Sequence, residues 1–367
     1  MFDQQLIMDT GSSILGARNA SKYNTTDLEN DPTYQTVLHL QTWTLPVVFS
    51  IGLIGNILAA RTFLSPNLRN TSCCLYLATK SINDLLFLMS LFVVWLYRLD
   101  VRVFKTVGVC QATVFITYIT GFLSVWCVVL ITWENFIRVS LPSHVTNLCS
   151  VKRAKYTIIL LITIAVGLYS FSLWTTGLIS SHNNSSCLVF EKYERLLVAM
   201  TLVDSILTLV IPLVVMVFLN VAISVSAVHA HERRKRLFER VPRTSTSRRK
   251  ETLALEVKVS KLLFAVSLIF IVLHTPTHVI RIKMMFLQSL YGAASPSLND
   301  GVMHRIFELV YYMNFSVHCA VYLIFGDNFR LVFKRIYFSG CYETEAVQNN
   351  TFDPYAERGS EGEAIFR

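Results

Sequence analysis

Charged residues are scarce in this chain. Of its 367 residues, 16% are Asp, Glu, Lys or Arg, whereas 53% are hydrophobic. A soluble protein of this length would normally divide into more than one domain, each with a charged surface. The mean hydropathy of +0.48 is instead typical of a membrane protein in which one helical bundle accounts for most of the chain.

The sequence also lacks the patterns of enzymes, metal sites and transporters. No Ser/His/Asp or Cys/His set is arranged for catalysis, and the histidines are scattered without metal-ligand spacing. We therefore expect no catalytic residues, no enzyme activity and no cofactor. No internal repeat or inverted pair of short broken spans is present, which argues against a transporter or ion channel. Ion flux without ligand would revive that alternative.

Seven apolar stretches are long enough to cross a bilayer as helices, since a helix of ~20 residues spans ~30 Å of hydrocarbon. They predict an all-α membrane protein, a seven-transmembrane helix bundle. The bundle would occupy residues 42–338, between an N-terminal tail (1–41) and a C-terminal tail (339–367). The stretches cover residues 42–64, 73–97, 107–133, 156–178, 197–228, 259–284 and 303–325.

The second stretch contains an acid, Asp84, in the sequence Ser81-Ile-Asn-Asp. A carboxylate at the depth of the hydrocarbon costs at least ~3 kcal/mol. We therefore expect Asp84 to face the interior of the bundle and to serve a function there.

Basic residues predict the orientation in the membrane. Nine Lys and Arg lie in residues 231–250, between the fifth and sixth stretches. The positive-inside rule places this side in the cytoplasm, so we expect a multi-pass plasma-membrane protein with an extracellular N-terminus. We predict a flexible loop at 231–251. A basic run can also indicate nucleic-acid binding, but this one joins two spans and has no interleaved aromatics, so we expect no nucleic-acid partner. The first nine residues lack the basic and apolar segments of a cleavable signal peptide, and we expect none.

Several positions are candidates for covalent modification. Only two of the eight cysteines, Cys110 and Cys187, lie on the predicted outer side, where an oxidising compartment favours a disulfide. Cys341, beyond the last stretch, is a candidate for palmitoylation on the inner side. Glycosylation sequons on segments predicted to be extracellular begin at Asn19, Asn24, Asn183 and Asn184.

Residues 327–338 predict an amphipathic helix that lies on the inner leaflet of the bilayer. Phe329, Val332, Phe333 and Ile336 share one face at helical spacing, whereas the basic residues of this segment fall opposite. The lipid bilayer is therefore a partner both of the bundle and of this helix.

Short motifs occur in order along the predicted spans. They are Gly55-Asn56, Asn83-Asp84-Leu85-Leu86, Cys110 with Cys187, Glu134 with Arg138-Val139 and Pro142, Pro212 with Leu219-Asn220, Phe270 with Pro276, Asn314 with Tyr322, and Phe329-Arg330. In this order they resemble the rhodopsin-like (class A) G-protein-coupled receptors over about residues 40–340. The resemblance implies a receptor that binds an extracellular ligand and activates heterotrimeric G proteins, with arrestin as a further partner.

Three phrases are similar to invertebrate peptide receptors of the FMRFamide and thyrotropin-releasing-hormone type, which implies a neuropeptide ligand. They are residues 120–126, 149–155 and 212–220. Molluscan candidate chemosensory receptors share similar phrasing, so a chemosensory receptor remains an alternative.

The chain departs from the family pattern at several positions, including the fourth helix, which lacks the usual tryptophan because Trp174 lies too late in that span. Asn135 stands where the family has an arginine that contacts the G protein, and His274 replaces the usual sixth-helix tryptophan. The seventh-helix Asn-Pro-x-x-Tyr motif reads His318-Cys-Ala-Val-Tyr322, so His318 replaces its asparagine. These departures leave open a non-signalling decoy or an arrestin-biased receptor. Signalling gained by the Asn135→Arg variant would favour that alternative.

Polar residues in the outer half of the predicted bundle are candidates for ligand binding, because charges within a membrane bundle normally line a ligand or ion path. An internal salt bridge of Arg281 with Glu308 or Asp204 is the alternative. By resemblance, amine receptors carry an acid at the position of Thr117, which argues against a monoamine; the mixture of charges suits a peptide. The candidates are Trp95, Arg98, Thr117, Tyr118, Asp204, His278, Arg281, Glu308, Tyr311 and Tyr312.

The resemblance also implies a sodium-binding cavity, the only metal site that we expect. Its residues would be Asp84, Ser124 and Asn314, with Asn56 nearby. Carboxylate, hydroxyl and amide oxygens suit a hard cation, although a hydrogen-bonded cluster without an ion is the alternative. The ion is favoured because Asp84 otherwise lacks a cationic partner. Protonated His318 could become that partner, and the hypothesis follows that activity depends on pH between about pH 5 and 7.

Two further groups follow from the resemblance. The activation switch would comprise Val125, Pro212, Phe270, His274, Pro276 and Tyr322, and the G-protein side would comprise Glu134, Asn135, Arg138 and Glu256. Glu134 and Arg138 are four residues apart in the favoured order of a helical ion pair. One hypothesis is that Arg138 partly replaces the missing arginine; the alternative is an ordinary interfacial arginine.

Overall fold

The structure is a computed structural model of the chain. It describes residues 31–99, 101, 103, 108–181, 184–238, 247–291 and 298–338. Seven helices in this part are long and apolar enough to cross a membrane. The predicted seven-transmembrane bundle is therefore confirmed, and the chain is a multi-pass membrane protein.

The first four helices are α1 (Pro32–Phe63), α2 (Ser72–Arg98), α3 (Val109–Ser140) and α4 (Val151–Tyr169). The fifth, α5, has three consecutive segments, Glu194–Ser205, Ile206–Val210 and Ile211–Phe238. Helices α6 (Ser247–Tyr291), α7 (Leu298–Phe325) and α8 (Asp327–Tyr337) complete the chain order. Short helical turns occur at Pro142–His144, Val145–Leu148, Ser172–Thr175 and Glu191–Tyr193.

Helix α1 begins ten residues before the predicted span. The carboxylate of Asp31 accepts hydrogen bonds from the backbone N–H groups of Thr33 and Tyr34, and Pro32 occupies the first helical turn. An acidic cap followed by proline is a strong helix start. The prediction that residues 1–41 form a tail is therefore wrong for residues 32–41, whereas residues 1–30 lie outside the described part.

A β-hairpin that the sequence analysis did not predict follows α4. Strand β1 (Thr176–Ser181) pairs antiparallel with β2 (Asn184–Val189), and Leu178 lies opposite Cys187. Cys187 forms the predicted disulfide with Cys110 at the start of α3, which confirms that pairing. The hairpin is thereby fixed against one end of the bundle, which we call the disulfide end. The end that carries α8 is called the α8 end.

Helices α5 and α6 extend into the basic segment. Residues 231–238 and 247–250 are helical, so the prediction of a flexible loop over all of 231–251 is wrong for these residues. Within α5 the stretch Ile206–Val210 is π-helical and directly precedes Pro212. Proline has no N–H to donate to the preceding turn, which accounts for the wider turn at that point. Pro46 and Pro276 lie inside the continuous helices α1 and α6.

Small residues and aromatic rings set the packing of α1, α7 and α8. A Cβ atom added to Gly52 would lie 3.1 Å from Ser316 Cβ, and one added to Gly55 would lie 3.0 Å from Cys319 Cβ. Glycine at these positions lets the neighbouring helices approach closely. At the α8 end, Phe63 packs against Phe329, with the ring centroids 4.8 Å apart, and Phe329 is itself buried.

The outer surface of the bundle is apolar. Large side chains such as Trp43, Tyr156 and Phe218 are at least 70% exposed. Exposed apolar surface of this kind on a helical bundle marks contact with lipid. Helix α8 carries two of its three basic residues, Lys334 and Arg335, in its last turn and buries Phe329 and Val332.

Candidate functional site

A cavity lies in the half of the bundle nearer the disulfide. Six of the ten predicted ligand-binding residues line it, together with His274 and Val125 of the predicted switch. The lining residues are Phe87, Val114, Thr117, Tyr118, Gly121, Phe122, Val125, Asp204, Thr208, His274, His278, Arg281 and Tyr311. The cavity therefore joins helices α2, α3, α5, α6 and α7 around one space.

Opposite charges face each other in this cavity. The guanidinium of Arg281 lies 3.8 Å from Oδ2 of Asp204, and both side chains are buried. The hydroxyl of Tyr169 donates a hydrogen bond to Oδ1 of Asp204 at 2.6 Å, and the ring of Tyr169 stacks on Tyr118. The salt-bridge alternative thus holds for Asp204. The distance of 3.8 Å exceeds that of a hydrogen bond, which leaves Arg281 able to bind another anion.

Two histidines of α6 line the same cavity with unused hydrogen-bonding capacity. His274 and His278 are 3% and 6% exposed, and neither ring nitrogen of either residue has a hydrogen-bond partner in the described part of the chain. The ring of His274 stacks on Phe270 at a centroid distance of 3.7 Å and meets Tyr311 edge-on at 4.7 Å. Buried polar atoms without partners cost free energy, so these nitrogens are available to a ligand.

The other four predicted ligand-binding residues belong to a separate polar cluster that joins α1, α2 and α7. Glu308 accepts hydrogen bonds from Gln41 at 2.9 Å and from Tyr312 at 2.7 Å, and Arg305 lies 3.7 Å from it. Arg98 donates to Gln41 at 3.3 Å, and Trp95 donates to the carbonyl of Thr42 at 2.9 Å. These contacts hold Glu308 away from Arg281, so the alternative salt bridge between Arg281 and Glu308 does not form.

Gln41 and Arg305 of this cluster were not predicted from the sequence. Gln41 is separated from Glu308 by 267 residues, so its role depends on the packing of α1 against α7. Arg305 lies three residues before Glu308 and also donates to the hydroxyl of Tyr34 at 2.9 Å. Its spacing from Glu308 on one helix was the signal that could have indicated it.

A lysine occupies the centre of the bundle beside Asp84. The ammonium of Lys80 lies 2.7 Å from Oδ2 of Asp84, and both side chains are fully buried. Ser124 donates to Oδ1 of Asp84 at 3.0 Å and lies 3.3 Å from the ammonium. The premise that Asp84 lacks a cationic partner is therefore wrong, and Lys80, four residues earlier on the same helix face, was the missed signal.

The contacts of Asp84 do not match those of the predicted sodium cavity. A hard cation needs free oxygen ligands, but both carboxylate oxygens of Asp84 are bonded to other groups. Nearby, the amide nitrogen of Asn56 donates to the carbonyl of Phe315 at 2.7 Å, and both amide atoms of Asn314 lack partners among the described residues. The residues present do not fit a sodium ion, because an ammonium already lies between Asp84 and Ser124.

His318 also borders the centre of the bundle. Its Nδ1 atom lies 3.8 Å from Oδ2 of Asp84, which is beyond hydrogen-bond distance. The partner of Asp84 is therefore Lys80. The pH hypothesis for His318 depended on an unpaired Asp84 and loses this basis.

The predicted switch residues lie between the cavity and the α8 end. Val125 and Phe270 are buried in one cluster with Met216, directly below His274. Pro212 follows the π-helical turn of α5, and Pro276 lies two residues after His274 in α6. Tyr322 is fully buried against Phe63 near α8. His274 thus touches both the cavity and the buried cluster.

At the α8 end of α3, Glu134 pairs with Arg138 at 2.5 Å and accepts a hydrogen bond from Ser72 at 2.6 Å. Asn135 is fully buried, and neither atom of its amide has a partner among the described residues. The guanidinium of Arg138 therefore pairs with the carboxylate of Glu134, and the amide of Asn135 takes no part in this contact. The side chain of Glu256, the fourth residue predicted for this side, lies outside the described part.

Cys149, between α3 and α4, lies close to this ion pair. Burial, and next the negative charge of Glu134, raise the pKa of the Cys149 thiol to about 11. The thiol therefore stays protonated at neutral pH, and its reaction with electrophiles is slow.

Most of the predicted modification sites lie outside the described residues. These are Asn19, Asn24, Asn183 and Cys341. Asn184 begins β2, at the disulfide end. Glycosylation and palmitoylation remain predictions.

Known proteins resemble this chain over most of its length. The family model "7 transmembrane receptor (rhodopsin family)" matches residues 55–322. The chain is 24% identical over 257 residues to G-protein coupled receptor 183-B of Danio rerio, and this match covers 67% of the chain and 66% of that receptor, slightly under two thirds of its length. It is 24% identical over 323 residues to the B1 bradykinin receptor of Chlorocebus aethiops, which covers 86% of the chain and 87% of that receptor. The seven spans, the disulfide and the family match lead to one conclusion: the chain belongs to the rhodopsin family of seven-transmembrane receptors.

Proposed function

We propose that this protein is a plasma-membrane receptor that binds an extracellular peptide in the cavity and activates a heterotrimeric G protein. The observation that carries the proposal is the set of buried nitrogens without hydrogen-bond partners among the described residues on one face of α6, namely both ring nitrogens of His274 and His278 and the Nε of Arg281. In a receptor that bound no ligand here, burial of these nitrogens would cost free energy that no hydrogen bond offsets.

The orientation follows from charge and from the disulfide. Basic residues concentrate at the α8 end, and the Cys110–Cys187 disulfide lies at the other end. Lys and Arg favour the cytoplasmic side, whereas disulfides form on the oxidising side. The N-terminus and the mouth of the cavity would then be extracellular, and helix α8 would be cytoplasmic.

The chemistry of the cavity favours a ligand with an acidic group. Arg281 presents a guanidinium that Asp204 only partly neutralises, because their closest atoms are 3.8 Å apart. A ligand carboxylate would gain charge-assisted hydrogen bonds from Arg281. His278, one helical turn away, would donate to or accept from a neighbouring peptide group. Thr117, rather than an acid, lines the cavity on α3, which argues against a monoamine.

One of the two relatives supports a peptide ligand. The B1 bradykinin receptor, which matches this chain over 323 residues, is a peptide receptor. A neuropeptide of the FMRFamide or thyrotropin-releasing-hormone type remains the specific form of this proposal.

The effect of ligand binding would be transmitted to the α8 end through His274. The His274 ring lines the cavity and stacks on Phe270, which packs with Val125 and Met216. A ligand that moves His274 would therefore shift α6 relative to α3 and α5, with Pro276 as the weak point of the helix. The shift would open a cytoplasmic cleft for the G protein near Arg138, with arrestin as a second partner of that surface.

The test is ligand-stimulated exchange of GTP for GDP on a panel of G proteins, in cells that express the receptor at the surface, against a neuropeptide library. We expect an acidic peptide to stimulate exchange in receptor-expressing cells and to leave mock-transfected cells unchanged. Silence toward the whole library, with surface expression confirmed by antibody labelling, would contradict the proposal.

A non-signalling or arrestin-biased receptor is the second candidate, and Asn135 favours it. In the family, by resemblance, an arginine at this position contacts the G protein, whereas Asn135 is fully buried. A receptor that binds a peptide without nucleotide exchange, and gains exchange in the Asn135→Arg variant, would have this function. A chemosensory receptor differs from both candidates only in the source of its ligand, which the site of expression would reveal.

A further inference from the structure

The centre of the bundle contains a closed network of three side chains. Lys80 contacts Oδ2 of Asp84 at 2.7 Å, and Ser124 donates to Oδ1 of the same carboxylate at 3.0 Å. The ammonium also lies 3.3 Å from Oγ of Ser124, so it lies between the two oxygen-bearing groups. Each of the three residues is fully buried.

The charges in this network balance. One buried ammonium faces one buried carboxylate, four residues away on the same helix. A buried carboxylate without a counter-charge would be costly, because the ionised form loses its hydration in the interior. Here the counter-charge is part of the chain.

We infer that Lys80 is a tethered cation that occupies the place between Asp84 and Ser124, so that the receptor is insensitive to sodium. A sodium ion at this place would need the oxygens that Lys80 and Ser124 already use, and it would add a second positive charge beside one carboxylate. The inference concerns the folded receptor itself and does not depend on the proposed ligand or on signalling.

Removal of the ammonium should turn this place into a sodium site. In the Lys80→Ala variant, Asp84 keeps its bond from Ser124 but loses its counter-charge, and the space of the lysine side chain becomes empty. Carboxylate and hydroxyl oxygens then face a buried space that suits a small hard cation. We expect this variant to gain a sodium dependence that the wild type lacks.

The experiment measures the thermal unfolding midpoint of the purified full-length receptor in detergent, in sodium chloride and in choline chloride at equal ionic strength. We expect equal midpoints for the wild type. The Lys80→Ala variant should have a higher midpoint in sodium than in choline, because an ion that binds only the folded state stabilises it by mass action. The effect should saturate with sodium concentration and should disappear in the Lys80→Ala/Asp84→Asn double variant.

Matched variants keep the outcomes distinct. Lys155→Ala removes an exposed lysine of α4 and should behave as the wild type, while Lys80→Arg keeps a cation at the site and should stay insensitive to sodium. A wild type with a higher midpoint in sodium than in choline would overturn the inference, even if Lys80→Ala does not fold. A folded Lys80→Ala variant with equal midpoints in both salts would overturn it as well.

Discussion

The carboxylate of Asp204 is shared between two residues on different helices. Its Oδ1 atom accepts a hydrogen bond from Tyr169 of α4 at 2.6 Å, and its Oδ2 atom lies 3.8 Å from the guanidinium of Arg281 on α6. Asp204 therefore attracts the guanidinium of Arg281 within the cavity but accepts no hydrogen bond from it at this distance. Binding of an acidic ligand would compete with this contact.

The Asp204→Asn variant should separate stability from ligand affinity. Loss of the carboxylate leaves Arg281 without its counter-charge, so we expect the unliganded receptor to lose about 1–3 kcal/mol of stability. The affinity for an acidic peptide should rise, because Arg281 no longer has a competing anion. Thermal unfolding with and without the peptide measures both effects.

The Tyr169→Phe variant is the control for Asp204→Asn, since it removes one hydrogen bond to Asp204 without changing the charge of the cavity. It should lower stability by a smaller amount and leave the peptide affinity near that of the wild type. An Asp204→Asn receptor with unchanged affinity would show that Asp204 does not compete for the ligand.

The buried pair of Lys80 and Asp84 should behave as a unit in stability measurements. Removal of one partner leaves an uncompensated buried charge, so we expect Lys80→Met or Asp84→Leu alone to cost about 3–5 kcal/mol. The double variant should be markedly more stable than either single variant, because it removes both charges together. Unfolding midpoints of the four proteins in sodium-free buffer form the double-mutant cycle. Additive losses in that cycle would argue against the pair.

The disulfide between Cys110 and Cys187 closes a loop with a sequence separation of 77 residues and fixes the hairpin to α3. Its loss should cost about 4 kcal/mol, mainly because the unfolded chain gains freedom. We expect the Cys110→Ser variant, the Cys187→Ser variant and the double variant to have equally low unfolding midpoints and surface levels. A double variant much less stable than either single variant would mean that each cysteine acts separately.

The Cys149 thiol should react slowly with iodoacetamide at neutral pH. Its pKa is raised from 9.0 to about 11, which lowers the thiolate fraction at neutral pH by about 100-fold, and the thiolate is the reactive form. The alkylation rate, followed by mass spectrometry of the Cys149 peptide, should rise about tenfold for each pH unit and level off only near pH 11. In the Glu134→Gln variant a negative charge is gone, so the pKa should fall and the rate at neutral pH should increase. A rate that levels off below pH 9 would contradict the raised pKa.

The architecture followed from the sequence because a membrane span depends on a local property. Each helix must satisfy its own backbone hydrogen bonds in lipid, so apolar length alone indicates it. The start of α1 was placed too late because residues 32–41 are polar enough to resemble a tail, although Asp31 and Pro32 form a recognisable cap. The hairpin at β1 and β2 was missed because its strands are short and polar, with Ser and Thr at several positions.

The sites were predicted less completely, because they depend on contacts between distant segments. Arg281 and His278 were predicted together as candidates for ligand binding, and the structure places both in one cavity. It grouped Glu308 with them, whereas Gln41, 267 residues away, draws that carboxylate into another cluster. Lys80 is different, since its spacing from Asp84 was visible in the sequence, and its omission led to the prediction of a sodium ion.

The most direct test of the proposed function is a concentration–response measurement of peptide-stimulated nucleotide exchange for three receptors at equal surface expression. They are the wild type, Arg281→Gln and the control Arg195→Gln, which removes an exposed arginine at the start of α5. A charge-assisted hydrogen bond contributes about 1.5–3 kcal/mol, so Arg281→Gln should need roughly 10-fold to 100-fold more peptide, whereas Arg195→Gln should match the wild type. Identical responses from all three receptors would contradict the assignment of the cavity as the ligand site.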